Sequence, residues 1–133
     1  MLIVLDTNVI VSGLLSPHRP PARIVDLVLS NAVQVAFDDR LLAEYAEVLT
    51  RPPFGFPARQ VRDLIDHIRL NGRPVIPGLQ LSLDCPDPDD LPFAQVALLA
   101  SVDALVTGNS THFAFLAQHN VSVMTPSEFL SSL

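Results

Sequence analysis

The chain of 133 residues contains no tryptophan, a single tyrosine, and aromatic residues at only 6%, a poor supply of the ring platforms that sugar-cleaving carboxylate pairs usually have beside them. Lysine is absent: the eight basic residues are Arg19, Arg23, Arg40, Arg51, Arg59, Arg62, Arg69 and Arg73. A phosphoacceptor domain built on Asp6 would therefore lack its usual lysine partner, and Asp6-Thr7-Asn8 lacks the second aspartate of a D-x-D nucleophile motif. The one cysteine, Cys85, forms no intramolecular disulfide, and no Cys/His cluster has zinc spacing. Five glycines, at 13, 55, 72, 78 and 108, compose neither a GxGxxG fingerprint nor a Walker loop, and Ser12 and Ser16 sit in no G-x-S-x-G elbow.

Positive charge is scarce as well. A net charge of -6 and a pI near 4.9 exclude a protein that grips nucleic acid through a broad basic surface. They do not exclude a nuclease that gathers carboxylates around divalent cations, because the cations reverse the local field where phosphate must sit. Residues 2–15 have no basic leader and are interrupted by Asp6 and Asn8, so they read as neither a signal peptide nor a membrane span. A soluble protein of the reducing cytoplasm is expected.

At 49% hydrophobic and 17% charged residues, the composition is that of a globular chain, and the length suits one domain covering residues 1–133. The 12 prolines fall between apolar segments, as at Pro20-Pro21, Pro52-Pro53 and Pro86/Pro88, and mark turns. Short continuous apolar runs at 2–5, 33–37, 104–106 and 121–124 predict strands buried on both faces, with a weaker fifth at 74–76. Helical spacing of apolar residues predicts helices over 22–29, 39–49 and 61–70, another starting near Asp89 or Asp90 and running through Ala100, and short ones at 112–118 and 126–130. Strands alternating with helices imply parallel pairing, hence a three-layer α/β/α sandwich with a five-stranded parallel sheet.

In such sheets ligands bind beyond the carboxyl ends of the strands. Asp6, Thr7 and Asn8 follow the first strand, Asp38 and Asp39 the second, and Thr107, Gly108 and Asn109 the strand at 104–106. If strands 2–5 and 104–106 are neighbours, Asp6 and Asn109 face one crevice. Asp6 could instead be an ordinary helix N-cap. Glu44, in the first turns of the 39–49 helix, is the better functional candidate than Glu47, which suits a solvated face. Asp84, Asp87, Asp89 and Asp90 crowd seven residues; capping accounts for about two of them, and like charges so close are tolerated on an exposed loop or around a cation. Among the four histidines, only His112 lies near the expected crevice, where a loop or helix-terminus role is the plainer expectation. Asp6, Glu44 and one of Asp87, Asp89 or Asp90, with Asn109 as a neutral oxygen ligand, would form an acidic pocket suited to two-metal phosphodiester hydrolysis.

Five segments in order extend this reading. Leu-Asp-Thr-Asn-Val-Ile at 5–10, Leu-Leu-Ala-Glu-Tyr at 41–45 continuing through Val48-Leu49 to Arg51-Pro52, Asp-Pro-Asp-Asp at 87–90, Val-Thr-Gly-Asn with His112-Phe113, and Thr-Pro-Ser-Glu-Phe-Leu at 125–130 resemble the PIN-domain family. The likeness is to its bacterial VapC-like toxin branch and covers nearly the whole chain. The resemblance implies a five-stranded parallel sheet and a Mg²⁺- or Mn²⁺-dependent endoribonuclease, the toxin of a toxin–antitoxin pair. Carried over by position, the acids are Asp6, Glu44 and Asp90, with Asp87 or Asp89 as near alternatives. The fourth acidic position is Asn109, which keeps an oxygen ligand but loses a charge. Asn8, Ser12 and Thr107 would support the ligands, and Arg19 and Arg51 would contact RNA phosphates. RNA, a cognate antitoxin and a second copy of the chain are the implied partners. The alternative is a PIN-fold module that binds RNA or protein with little or no catalysis, for which Asn109 is the hint.

Overall fold

A computed structural model of the chain describes residues 1–76 and 83–133. Five parallel strands, β1 (Leu2–Leu5), β2 (Gln34–Phe37), β3 (Arg73–Pro74), β4 (Ala104–Val106) and β5 (Val123–Met124), form one sheet in the order β3-β2-β1-β4-β5. All four residues of β1 and all three of β4 are buried, which requires cover on both faces and explains why these strands read as unbroken apolar runs. Helices supply that cover: α1 (Thr7–Leu15), α2 (Pro20–Leu29), α3 (Asp39–Leu49), α4 (Ala58–Asn71), α5 (Leu91–Leu99) and α6 (Pro126–Ser131). The result is the expected α/β/α sandwich.

Several boundaries depart from the sequence reading. Directly after β1 comes α1, a helix that the periodicity did not single out. Its β-branched Val9-Ile10-Val11 masks the helical pattern, because such residues favour strands. Gly13 lets α1 lie close to α2: a Cβ there would be 2.9 Å from Val25 Cγ2 and 3.0 Å from the Pro21 carbonyl oxygen. The outer strands are shorter than expected, at 73–74 instead of 74–76 and 123–124 instead of 121–124. Residues 110–119 form 3₁₀ turns in place of an α-helix over 112–118, burying Phe113 and Leu116. No helix among the described residues is long and apolar enough to cross a membrane.

The crossover pattern fixes where a site can form. Chain order runs outward from β1 through β2 to β3 on one side and resumes at β4 and β5 on the other, so the reversal lies between β1 and β4. Their register pairs Ile3 with Ala104, Val4 with Leu105 and Leu5 with Val106. One residue further, the Asp6 N–H donates to the Val106 carbonyl at 2.9 Å, bringing Asp6 level with the loop after β4.

Helix α3 is fastened to this edge at both ends of its first turns. Asp38 caps it, accepting from the N–H groups of Arg40 and Leu41 at 2.9 and 3.1 Å, and is paired with the Arg40 guanidinium at 2.7 Å. Tyr45, fully buried, donates its hydroxyl proton to the Leu5 carbonyl at 2.5 Å. That bond ties α3 to the end of β1, and with it the neighbouring Glu44. Tyr45→Phe should lower unfolding free energy by about 1–2 kcal/mol, the cost of leaving a buried carbonyl without its donor, as read by urea denaturation.

Candidate active site at the carboxyl ends of β1 and β4

Among the described residues, six at N-cap positions carry a side-chain oxygen able to cap, and they divide into two kinds. Asp38, Asp87 and Thr125 cap: Asp38 holds α3, Asp87 accepts from the Asp89 N–H at 3.0 Å at the 3₁₀ turn Pro88–Asp90, and Thr125 forms a reciprocal capping box with Glu128. Asp6 before α1, Asp90 before α5 and Asn109 before the 3₁₀ stretch Ser110–His119 hold the same positions and cap nothing. The capping explanation for Asp6 therefore does not apply, and its carboxylate is available for another use.

Asp6 is instead turned toward the loop after β4. Its Oδ2 accepts from Thr107 Oγ1 at 2.8 Å, and that same hydroxyl oxygen accepts from the Asn109 N–H at 3.0 Å. Thr107, at the centre of this bridge between Asp6 and Asn109, is completely buried. Asn8 accepts from the Gly108 N–H at 3.1 Å and ties the start of α1 to the same loop. Glu44 enters from α3, with its Oε2 held by the Thr7 hydroxyl. Thr7 is the contributor that sequence reasoning did not assign. Its only local signal is its place directly after Asp6, whereas its partner lies 37 positions away.

The electrostatics agree with this convergence. Asp6 has its pKa raised, chiefly by burial; the Thr107 hydroxyl and the Thr7 N–H oppose the shift, while the charges of Asp90 and Glu44 add to it. Asp90 is raised too, by burial and then by Asp87 and Asp89, with His112 acting the other way. Burial holds the Tyr45 phenol well above its ordinary value, helped by the nearby Asp6 and Glu44 carboxylates, so Tyr45 acts as a neutral donor. Among the described residues, Asp90 Oδ2 is the buried side-chain oxygen or nitrogen that lacks any hydrogen-bond partner. His112 Nδ1 lies 3.6 Å from it, beyond hydrogen-bond range.

A buried carboxylate oxygen with no donor is costly unless something positive completes it. That is an observation in favour of a cation, and Asp6, Glu44, Asp90 and the Asn109 carbonyl are the oxygen donors that hard divalent ions prefer. No group of three or more His, Cys, Asp or Glu among the described residues is placed to hold a metal by itself. Mg²⁺ does not need such a cage, since it keeps several waters and completes its shell with one or two carboxylates and substrate phosphates.

The remaining sequence candidates are engaged otherwise or border this cluster, and the charges of Asp87 and Asp89 reach Asp90. Asp87 is occupied as a cap and Asp89 is exposed. Glu47 on α3 and Arg51, just past its end, form an exposed i,i+4 pair at 2.8 Å, which engages the Arg51 guanidinium. Ser12 and Arg19 line a groove of about 470 Å³ with Ser16, Gly108 and Ser127, beginning at the loop that carries Asn109.

The raised values set the sign of a pH effect. For a carboxylate whose folded-state pKa lies above its unfolded one, the stabilising contribution is full below about pH 4 and is lost as pH rises through the raised value. In EDTA, melting temperature should thus fall across the weakly acidic range because of Asp6 and Asp90. Asp6→Asn should melt higher than the parent at neutral pH, by roughly 3–5 °C for a gain of about 1 kcal/mol. Thermal melts with EDTA or Mn²⁺ check this, and Mn²⁺ should raise the parent more than the variant.

Neither the curated proteins nor the solved structures include a match to the chain. The sequence model for the PIN domain matches residues 2–111, which includes every strand but β5 and the carboxylates of Asp6, Glu44 and Asp90. PIN domains are generally nucleases and generally use divalent metal ions. With its five-stranded parallel sheet and its non-capping acids at the point where strand order reverses, this chain belongs to the PIN-domain family.

Proposed function

We propose that this protein is an endoribonuclease that hydrolyses RNA phosphodiester bonds with Mg²⁺ or Mn²⁺, acting in the cytoplasm as the toxin of a toxin–antitoxin pair. The observation that carries the metal reading is the buried, partnerless Asp90 Oδ2 in electrostatic contact with the non-capping Asp6. The five-segment resemblance to VapC-like proteins supports RNA as substrate and an antitoxin as partner.

Asp6, Asp90, Glu44 and the Asn109 carbonyl would hold the metal. When bound, Mg²⁺ or Mn²⁺ supplies an activated water at neutral pH and neutralises charge on the scissile phosphate. The chain's own contribution is positioning. Thr107 fixes the Asp6 carboxylate, and Thr7 fixes one oxygen of Glu44, whose other oxygen is left to orient the attacking water. Asn8 holds the Gly108 backbone and so keeps the loop bearing Asn109 against β1. Arg19, exposed and without an ion-pair partner among the described residues, offers a bidentate contact to a phosphate in the adjoining groove.

A second reading, a binding module that does not cleave, is favoured by Asn109 in place of a carboxylate. Incubating a structured RNA with Mn²⁺, Mg²⁺ or EDTA separates the two. Metal-dependent cutting is expected, reduced roughly 100-fold or more in Asp6→Asn and Asp90→Asn, equivalent to several kcal/mol of transition-state stabilisation. Asp87→Asn should retain it. No cutting by the parent protein, or cutting that survives Asp6→Asn, rejects the nuclease reading. Arg19→Ala should raise KM several-fold with kcat little changed and lower the salt dependence of RNA binding by about one phosphate contact. Growth arrest on expression, relieved by a small protein encoded beside it, tests the toxin assignment.

A further inference from the structure

His112 takes no part in the chemistry above, and it is not a core residue: about half of its side chain is exposed, while the adjacent Phe113 is fully buried. Its ring nevertheless joins two of the site's oxygen donors. Nε2 lies 3.2 Å from Asn109 Nδ2, and Nδ1 lies 3.6 Å from the partnerless Asp90 Oδ2. The backbone that carries the ring is fixed, since the His112 N–H donates to the Asn109 backbone carbonyl at 3.1 Å in the first 3₁₀ turn after β4.

The chemistry of these groups fixes the direction of each contact. An amide nitrogen only donates, so Nε2 accepts, and a neutral imidazole then carries its proton on Nδ1, facing the Asp90 carboxylate. Asn109 is thereby held from two sides: its backbone N–H through Thr107 to Asp6, and its side-chain NH₂ through His112 toward Asp90. With the NH₂ end engaged, the carbonyl end of the amide is the end left to face a cation.

This arrangement answers a need that arises only with asparagine. The two oxygens of an aspartate are equivalent, so either presents a ligand. An asparagine amide turned the wrong way presents two N–H donors to the cation. We propose that His112 is a positioning residue that orients the Asn109 carboxamide so that Oδ1 serves as a neutral metal ligand. This rests on the metal-site reading of the preceding subsection.

The test is Mn²⁺ affinity without RNA, measured by calorimetry on the parent, His112→Ala, Asn109→Asp and the double variant. His112→Ala should weaken binding about tenfold, the lower end of what outer-shell partners contribute. In the Asn109→Asp background the same change should cost less than about threefold, because the orienting role has no object there. His112→Phe, which keeps the ring and removes both nitrogens, should reproduce the tenfold loss if His112→Ala proves poorly folded. An equal loss in both backgrounds, or no loss in the parent background, overturns the proposal while leaving the metal site intact. A parent protein that binds no Mn²⁺ rejects the metal reading, and the role of His112 falls with it.

Discussion

The pairing of β1 with β4 is the constraint on which the rest of the site depends. Two strands separated by about 100 positions lie in register, and the hydrogen bond from the Asp6 N–H to the Val106 carbonyl continues their ladder by one residue. Because both strands are buried on both faces, a one-residue slip would drive polar Asp6 or Thr107 into the apolar sheet. Register is therefore enforced by the hydrophobic effect, and the polar residues just beyond it inherit their positions. Thr107 reaches Asp6, Asn8 reaches Gly108, and Tyr45 anchors α3 to the last carbonyl of β1.

Around that junction the protein tolerates an unfavourable electrostatic arrangement. Burial and neighbouring carboxylates push Asp6 and Asp90 toward their neutral forms, and one hydroxyl, a backbone N–H and one imidazole stand against them. Two other aspartates are well supplied with donors. Asp38 has two backbone donors and a guanidinium, and Asp87 has a backbone donor. The contrast between satisfied and unsatisfied carboxylates separates the scaffold from the site more sharply than acidity alone, since aspartates of both kinds fall within the same short segment, 87–90.

A chain without lysine and with a net charge of -6 has little electrostatic attraction for RNA over its surface as a whole. Several of its arginines are spent on the protein itself: Arg40 on Asp38, Arg51 on Glu47 and Arg69 on Asp66. Binding of a polyanion then depends on cations held by the acids and on local contacts such as the groove beside Gly108.

Much of the fold was legible in the residues. Strands 2–5 and 104–106 and helix 39–49 appear with the boundaries that their apolar patterns predict, since burial on both faces or on one helical face imposes those patterns directly. The first helix was hidden because Val9-Ile10-Val11 satisfies a strand's local preference, and packing against α2 through Gly13 overrides it. The short edge strands ended early, where pairing on one side only gives the sequence less to specify. For the site, the sequence by itself determined its chemical kind: acids and amides at strand ends, rich in oxygen and poor in any other reactive group. Which acids are free was decided by the tertiary structure alone. Whether an aspartate caps a helix depends on local backbone angles and on what its carboxylate meets, and Asp90, with φ -83° and ψ -16°, is helical where Asp38 and Asp87 are extended. The partners that hold the others, Thr7 for Glu44 and Thr107 for Asp6, stand 37 and 101 positions away, a distance that only the closing of the sheet removes.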